Sequence, residues 1–137
     1  MSEFALQLAA ALALTIAIEL AVVALLGVRR AEEFAAVALV NVITNPALNV
    51  LAAAAYGLIV YAVARLGLSG GVVALVYWAL IGVAEVAVVL VEWRLLVWAL
   101  RAESDSRKWL IRSAAMNATS FVLGSWLLAV GLRATAR

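Results

Sequence analysis

Apolar residues fill four long stretches of the chain, about Phe4 to Val28, Phe34 to Ala64, Gly71 to Trp93 and Trp109 to Leu132, with most charges gathered between them. Each stretch exceeds the roughly 20 residues that cross a ~30 Å hydrocarbon core. The pattern therefore predicts an all-α, polytopic membrane protein: a single domain over residues 1–137, built as a four-helix bundle. The second stretch is long enough to tilt or break, and Pro46 marks a predicted break, because its ring removes the hydrogen bond to the Val42 carbonyl and pushes Asn45 from helical angles. Residues from 94 to about 106 are expected to extend the third span as an interfacial helix before "ESDS" turns the chain. The first stretch does not read as a secretory signal: it lacks a basic leader, outruns the usual apolar length and carries Glu19 inside.

Composition sharpens this picture. Hydrophobic residues make up 69% of the chain and charged residues 13%, against about 25% charged in a soluble domain. There is no cysteine and no histidine, which excludes thiol chemistry, disulfides, haem ligation and the usual zinc sites. No cofactor is implied, and any bound metal is a hard one held by oxygen. The net charge of +2 calls for no nucleic acid or acidic partner. Arg29 and Arg30 lie in the first connection, and Arg94, Arg101, Arg107, Lys108 and Arg112 in or beside the third. The other side has Arg65, Arg133 and Arg137. The positive-inside rule then makes both of those connections cytoplasmic, with both termini and the "RLGLSGG" turn outside. Trp93, Trp98 and Trp109 are expected at the inner interface, Tyr61 and Trp126 at the outer one.

Against this apolar background the segment "NVITNPALNV" at 41–50 stands out. Amides in a bilayer core have no water to satisfy them, so neighbouring helices or a ligand must do so. Asn41, Asn45 and Asn49 recur every four residues on one face, as do Ser113 and Asn117 in the fourth span, and Thr15 stands four residues before Glu19. "ELAVVALLGVRR" from Glu19 resembles "EVAVVLVEWR" from Glu85, and each is followed one helix later by Asn-x-x-Thr or Asn-x-x-Ser, at Asn41 with Thr44 and Asn117 with Ser120. A duplication of this kind is a parallel repeat about an axis along the membrane normal. At 1.5 Å per residue, Glu19 and Glu85 fall about 13 Å from the inner ends of their spans and the two asparagines about 10 to 12 Å from theirs, which predicts one polar level in the bundle.

The candidate site is accordingly Glu19, Asn41, Thr44, Asn45, Asn49, Glu85, Glu92 and Asn117, beside the break at Pro46. An acidic residue near a helix centre costs about 2.5 to 3.5 kcal/mol to insert, more than helix glue requires. Glu92, near the interface and two residues before Arg94, reads equally as a ligand or as a snorkelled partner of that arginine. Asn49, Asn117, Thr119 and Ser120 read closer to structural glue, the pairs Ser120/Gly124 and Ala53/Gly57 as packing notches, and Glu32 and Glu33 as loop charges. Carboxylates, amides and a freed carbonyl make an oxygen cage for a cation or a proton relay, and no nucleophile–base pair or phosphate loop is visible. Enzymatic chemistry is not expected. Two readings remain: a transport protein or channel for a cation or a cationic or zwitterionic solute, and a non-transporting accessory subunit or lipid-binding scaffold. Partners are the lipid bilayer, the solute and a second copy of the chain, since four helices offer little wall around a polar pathway.

An intramembrane Glu, a short basic loop and "NVITNPALN" together resemble a group of small, uncharacterised four-helix bacterial membrane proteins carrying Asn-x-x-Thr-Asn-Pro-x-x-Asn. That resemblance implies a multi-pass protein of the bacterial inner membrane in which Glu19, Asn41, Thr44, Asn45, Pro46, Asn49 and Glu85 act as a unit. It implies no activity.

Overall fold

A computed structural model describes residues 3–67, 69–102 and 105–135, all in helices or the turns that join them. The helices are α1 (Glu3–Leu25), α2 (Ala31–Leu66), α3 (Gly70–Leu100) and α4 (Ser106–Thr135). Three of them, α1, α2 and α3, are long and apolar enough to cross a membrane. The first half of α4 is diluted by Arg112, Ser113, Asn117, Thr119 and Ser120. Large apolar side chains such as Leu39, Leu51, Leu75, Val83 and Val122 face outward, each more than half exposed. An outer surface of this kind suits hydrocarbon rather than water.

The helices pack in a ring, each on its two neighbours in chain order and α1 on α4, while the diagonal pairs stay apart. The space between the diagonals is filled differently at the two ends. Toward the α1–α2 and α3–α4 connections lies a dry core of Val23, Val28, Val37, Val40, Leu96, Val97, Trp109 and Met116. Toward the α2–α3 turn the centre is open.

Several expectations need correction. α2 is not broken at Pro46 but runs as one helix through it. Polar side chains around the proline supply local bonds that steady the backbone: Thr44 Oγ1 reaches the Val40 carbonyl at 3.0 Å and Asn49 Nδ2 the Asn45 carbonyl at 3.0 Å. The expected extension of the third span past residue 94 is present but shorter: α3 continues to Leu100 and ends where Arg101 adopts a left-handed conformation, φ 49°. Of the "ESDS" and "RLGLSGG" turns, Glu103, Ser104 and Leu68 lie outside the described residues, as does Arg137. Trp109 is not an interfacial anchor but part of the core, and Trp93 is half-buried, its Nε1 donating to the Ser106 carbonyl at 2.8 Å. Trp98, Tyr61 and Trp126 are exposed. Gly57 and Gly124 are not packing notches, since a Cβ added to either meets nothing within 4 Å. Glu32 and Glu33 belong to the first turn of α2, where Glu32 pairs with Arg30 and negative charge favours the helix dipole.

The two hairpins end their first helices alike. Gly27 (φ 88°) follows α1 and Arg101 follows α3, both left-handed. The Val28 N–H then donates to the Val23 carbonyl at 3.1 Å and the Ala102 N–H to the Val97 carbonyl at 3.0 Å. The same six-to-one closure thus reverses the chain in both halves.

Candidate functional site

Where the dry core stops, four helices contribute a closed belt of polar side chains. Glu19 of α1 and Glu92 of α3 stand on diagonal helices and are fully or almost fully buried, while α2 and α4 supply the donors between them. Asn41 Nδ2 donates to Glu19 Oε2 at 2.6 Å and Thr44 Oγ1 to Glu92 Oε1 at 2.7 Å. From the other side, Asn117 Nδ2 donates to Glu92 Oε2, and Ser120 Oγ lies 3.1 Å from Glu19 Oε1. Ser113 Oγ adds a longer approach to Glu92 Oε2 at 3.4 Å. Each carboxylate therefore joins α2 with one oxygen and α4 with the other.

The belt has an approximate two-fold pattern. Asn41 serves the carboxylate of its own hairpin and Thr44 that of the other. Asn117 likewise serves its own and Ser120 the other. Each asparagine spends its second amide hydrogen on the carbonyl four residues earlier, Asn41 on Val37 at 3.2 Å and Asn117 on Ser113 at 3.1 Å. The repeat is thus visible in the geometry, but its register pairs Glu19 with Glu92 and not with Glu85. Glu19 and Glu85 share one cavity but not one set of direct hydrogen bonds: Glu85 lies two turns from Glu92 toward the α2–α3 end, half-buried and outside the belt.

A cavity of about 860 Å³ opens above this belt on the side away from the dry core. Glu19, Asn41, Glu92, Asn117 and Ser120 form its floor, and Glu85, Asn45 and Asn49 stand on its walls with Trp78 and Phe121. Asn45 and Asn49 do not reach the carboxylates; Asn49 Nδ2 donates to Asn45 Oδ1 at 2.8 Å. Among the described residues, every charged side chain lining the cavity is acidic. Thr15 lines it too, one turn above Glu19.

The belt hydroxyls are not committed to the carboxylates. A hydroxyl has one proton to give and two lone pairs, and each belt hydroxyl has a main-chain alternative to its carboxylate. Thr44 can turn to the Val40 carbonyl at 3.0 Å, Ser113 to Val89 at 3.1 Å and Ser120 to Asn117 at 3.1 Å. Such a turn leaves hydroxyl lone pairs, carboxylate oxygens and amide oxygens facing one space. That donor set fits a cation, although no group of three or more His, Cys, Asp or Glu among the described residues is close enough to hold a metal by those ligands alone.

Glu92 and Ser120 are more central than their sequence positions indicate. The missing signal is the length of α3: counted from Leu100 rather than from Trp93, Glu92 lies about 12 Å from its helix end and Glu19 about 9 Å from Leu25, whereas Glu85 lies about 22 Å away. No protein-family model, curated protein or solved structure matches this chain.

Proposed function

We propose that this protein is a small four-span membrane transporter of a cation or cationic solute, with the Glu19–Glu92 belt as its binding site. The observation that carries the reading is a large cavity whose described lining carries only acidic charge, sealed at one end by an apolar core and floored by two carboxylates whose hydroxyl partners have other acceptors within reach. A solute arriving through the cavity exchanges with the belt donors or with protons on the carboxylates. Passage onward requires the Val37, Leu96 and Met116 layer to part. With both hairpin connections cytoplasmic, as their arginines direct, the open end faces outside, and α4 completes the bundle as the fourth span of a bacterial inner-membrane protein. A homodimer supplies further wall around the pathway.

One observation favours the scaffold reading. No buried side-chain nitrogen or oxygen among the described residues lacks a partner, so the belt also suffices as a lock between helices. Flux decides between the two. Vesicles containing wild type are expected to show a cation- or proton-dependent flux that E19Q and E92Q abolish, because Gln keeps the shape but loses the titratable charge. A scaffold gives no flux in wild type under any ion gradient, and its Gln variants change stability alone.

A further inference from the structure

A second cavity, about 460 Å³, lies between α3 and α4 and meets the central one along Trp78, Ile81, Glu85, Asn117 and Phe121. Beyond that junction its wall is wholly apolar: Gly82, Val86, Val89 and Leu90 on α3, Ala114 and Ala118 on α4. Val86 is 60% and Leu90 46% exposed, both on the outer face of the bundle. The gap exists because small residues meet across it, and a Cβ at Gly82 finds nothing within 4 Å. It is therefore a side window, open to the surface that faces hydrocarbon.

Glu85 stands at the junction. Unlike Glu19 and Glu92 it takes no hydrogen bond and no ion pair from the described residues; its electrostatic neighbours are Glu92 and Glu19, both of like charge. A carboxylate half-buried beside an apolar window, with no cationic partner among the described residues, lacks its complement.

Resting on the transport reading above, we infer that the substrate is an amphipathic organic cation that enters sideways from the bilayer through the α3–α4 window, its apolar part against Gly82 and Ala118 and its charged head at Glu85. Charge selects the sign, since among the described residues three carboxylates and no Lys or Arg line the joined cavities. Trp78 and Phe121 line both cavities, and aromatic rings attract cations. Size argues against a bare inorganic ion, because a space of 860 Å³ falls in the ~300–1,000 Å³ range of sites for drug-sized ligands. An apolar window gives a hydrated ion nothing to bind, whereas it accepts a tail already dissolved in lipid.

Binding of labelled tetraphenylphosphonium to the full chain in lipid nanodiscs tests this, with empty discs as background. Wild type is expected to bind saturably and to release the probe to dodecyltrimethylammonium at concentrations at least tenfold below those of tetramethylammonium or dodecanol. E85Q is expected to weaken binding tenfold or more. G82L and A118L, which fill the window from opposite walls, are expected to do the same while melting within a few degrees of wild type. Unchanged binding in both window variants overturns the lateral route, and dodecanol competing as well as the dodecyl cation overturns the cationic head. If either occurs while a small-cation flux still depends on Glu19 and Glu92, the window inference falls and the transport reading stands. If no cation of any size is bound or moved by wild type, both fall.

Discussion

At the scale of single residues, Thr44 and Ser120 hold the two hairpins together, because each ties a carboxylate to a helix of the other hairpin. Thr44→Val keeps the branched shape but leaves Glu92 Oε1 without its donor at 2.7 Å. Loss of a hydrogen bond to a buried charged group is expected to cost about 1–3 kcal/mol, read as a lowered melting temperature in detergent. Ser120→Ala removes the 3.1 Å contact to Glu19 and should cost less, since this hydroxyl is only half-buried. The two belong to one closed belt, so the double variant is expected to depart from additivity by about 0.5 kcal/mol or more. Strict additivity indicates two independent contacts rather than a belt. Asn41→Leu is the harsher change, stripping Glu19 of its amide partner, and should exceed Ser120→Ala in the same assay.

At the scale of elements, helix ends decide what can be read in advance. Apolar runs alone locate four helices to within a few residues at most ends, because burial in lipid demands length and apolarity and little else. They fail at the α3 terminus, where Arg94 and the tryptophans mimic an interface although the helix continues to Leu100. Ending the span at Trp93 displaces the polar level by two turns and aligns Glu19 with Glu85 rather than Glu92, while Glu19, Asn41 and the Asn41/Thr44 and Asn117/Ser120 half of the repeat are legible. Pro46 misled for another reason: its ring predicts a break, but nearby side chains bond the backbone around it. The ends also carry predictions. Arg101 sits at φ 49°, where a side chain costs roughly 1–2 kcal/mol that glycine avoids, so Arg101→Gly should stabilise the protein by about 1 kcal/mol and Gly27→Ala should destabilise it by a similar amount. Thermal unfolding checks both. Just before α4, Lys108 donates to Asp105 at 2.6 Å and holds that carboxyl below its usual range, chiefly through the hydrogen bond. A lowered folded value means this contribution is present above the ordinary carboxylate range and lost as pH falls through the lowered one. Asp105→Asn should therefore flatten stability against pH only on the acid side.

At the scale of the whole molecule, the bundle is polarised along its axis, dry and packed toward the two basic connections and hollow toward the α2–α3 turn. The carboxylate belt sits at the boundary, so solute reaching it must come from the hollow end or through its side window. This gives a labelling prediction that joins orientation to access. Single cysteines at Ala11 and Leu48 lie on the cavity wall, and cysteines at Val40 and Met116 lie in the dry core. With a membrane-impermeant thiol reagent added outside intact cells, Ala11→Cys, Leu48→Cys and a turn marker at Ser69→Cys should react. Ala31→Cys should react only when the reagent reaches the cytoplasmic face. Val40→Cys and Met116→Cys should resist from either side while the core is closed. Labelling of Ala11→Cys from the cytoplasm alone reverses the orientation that the arginines predict. If Met116→Cys becomes reactive from the cytoplasm when a transported cation is supplied, the apolar layer has parted, as alternating access requires and a fixed scaffold does not allow. Persistent protection of Met116→Cys during measured flux places the pathway elsewhere and removes the belt from the route.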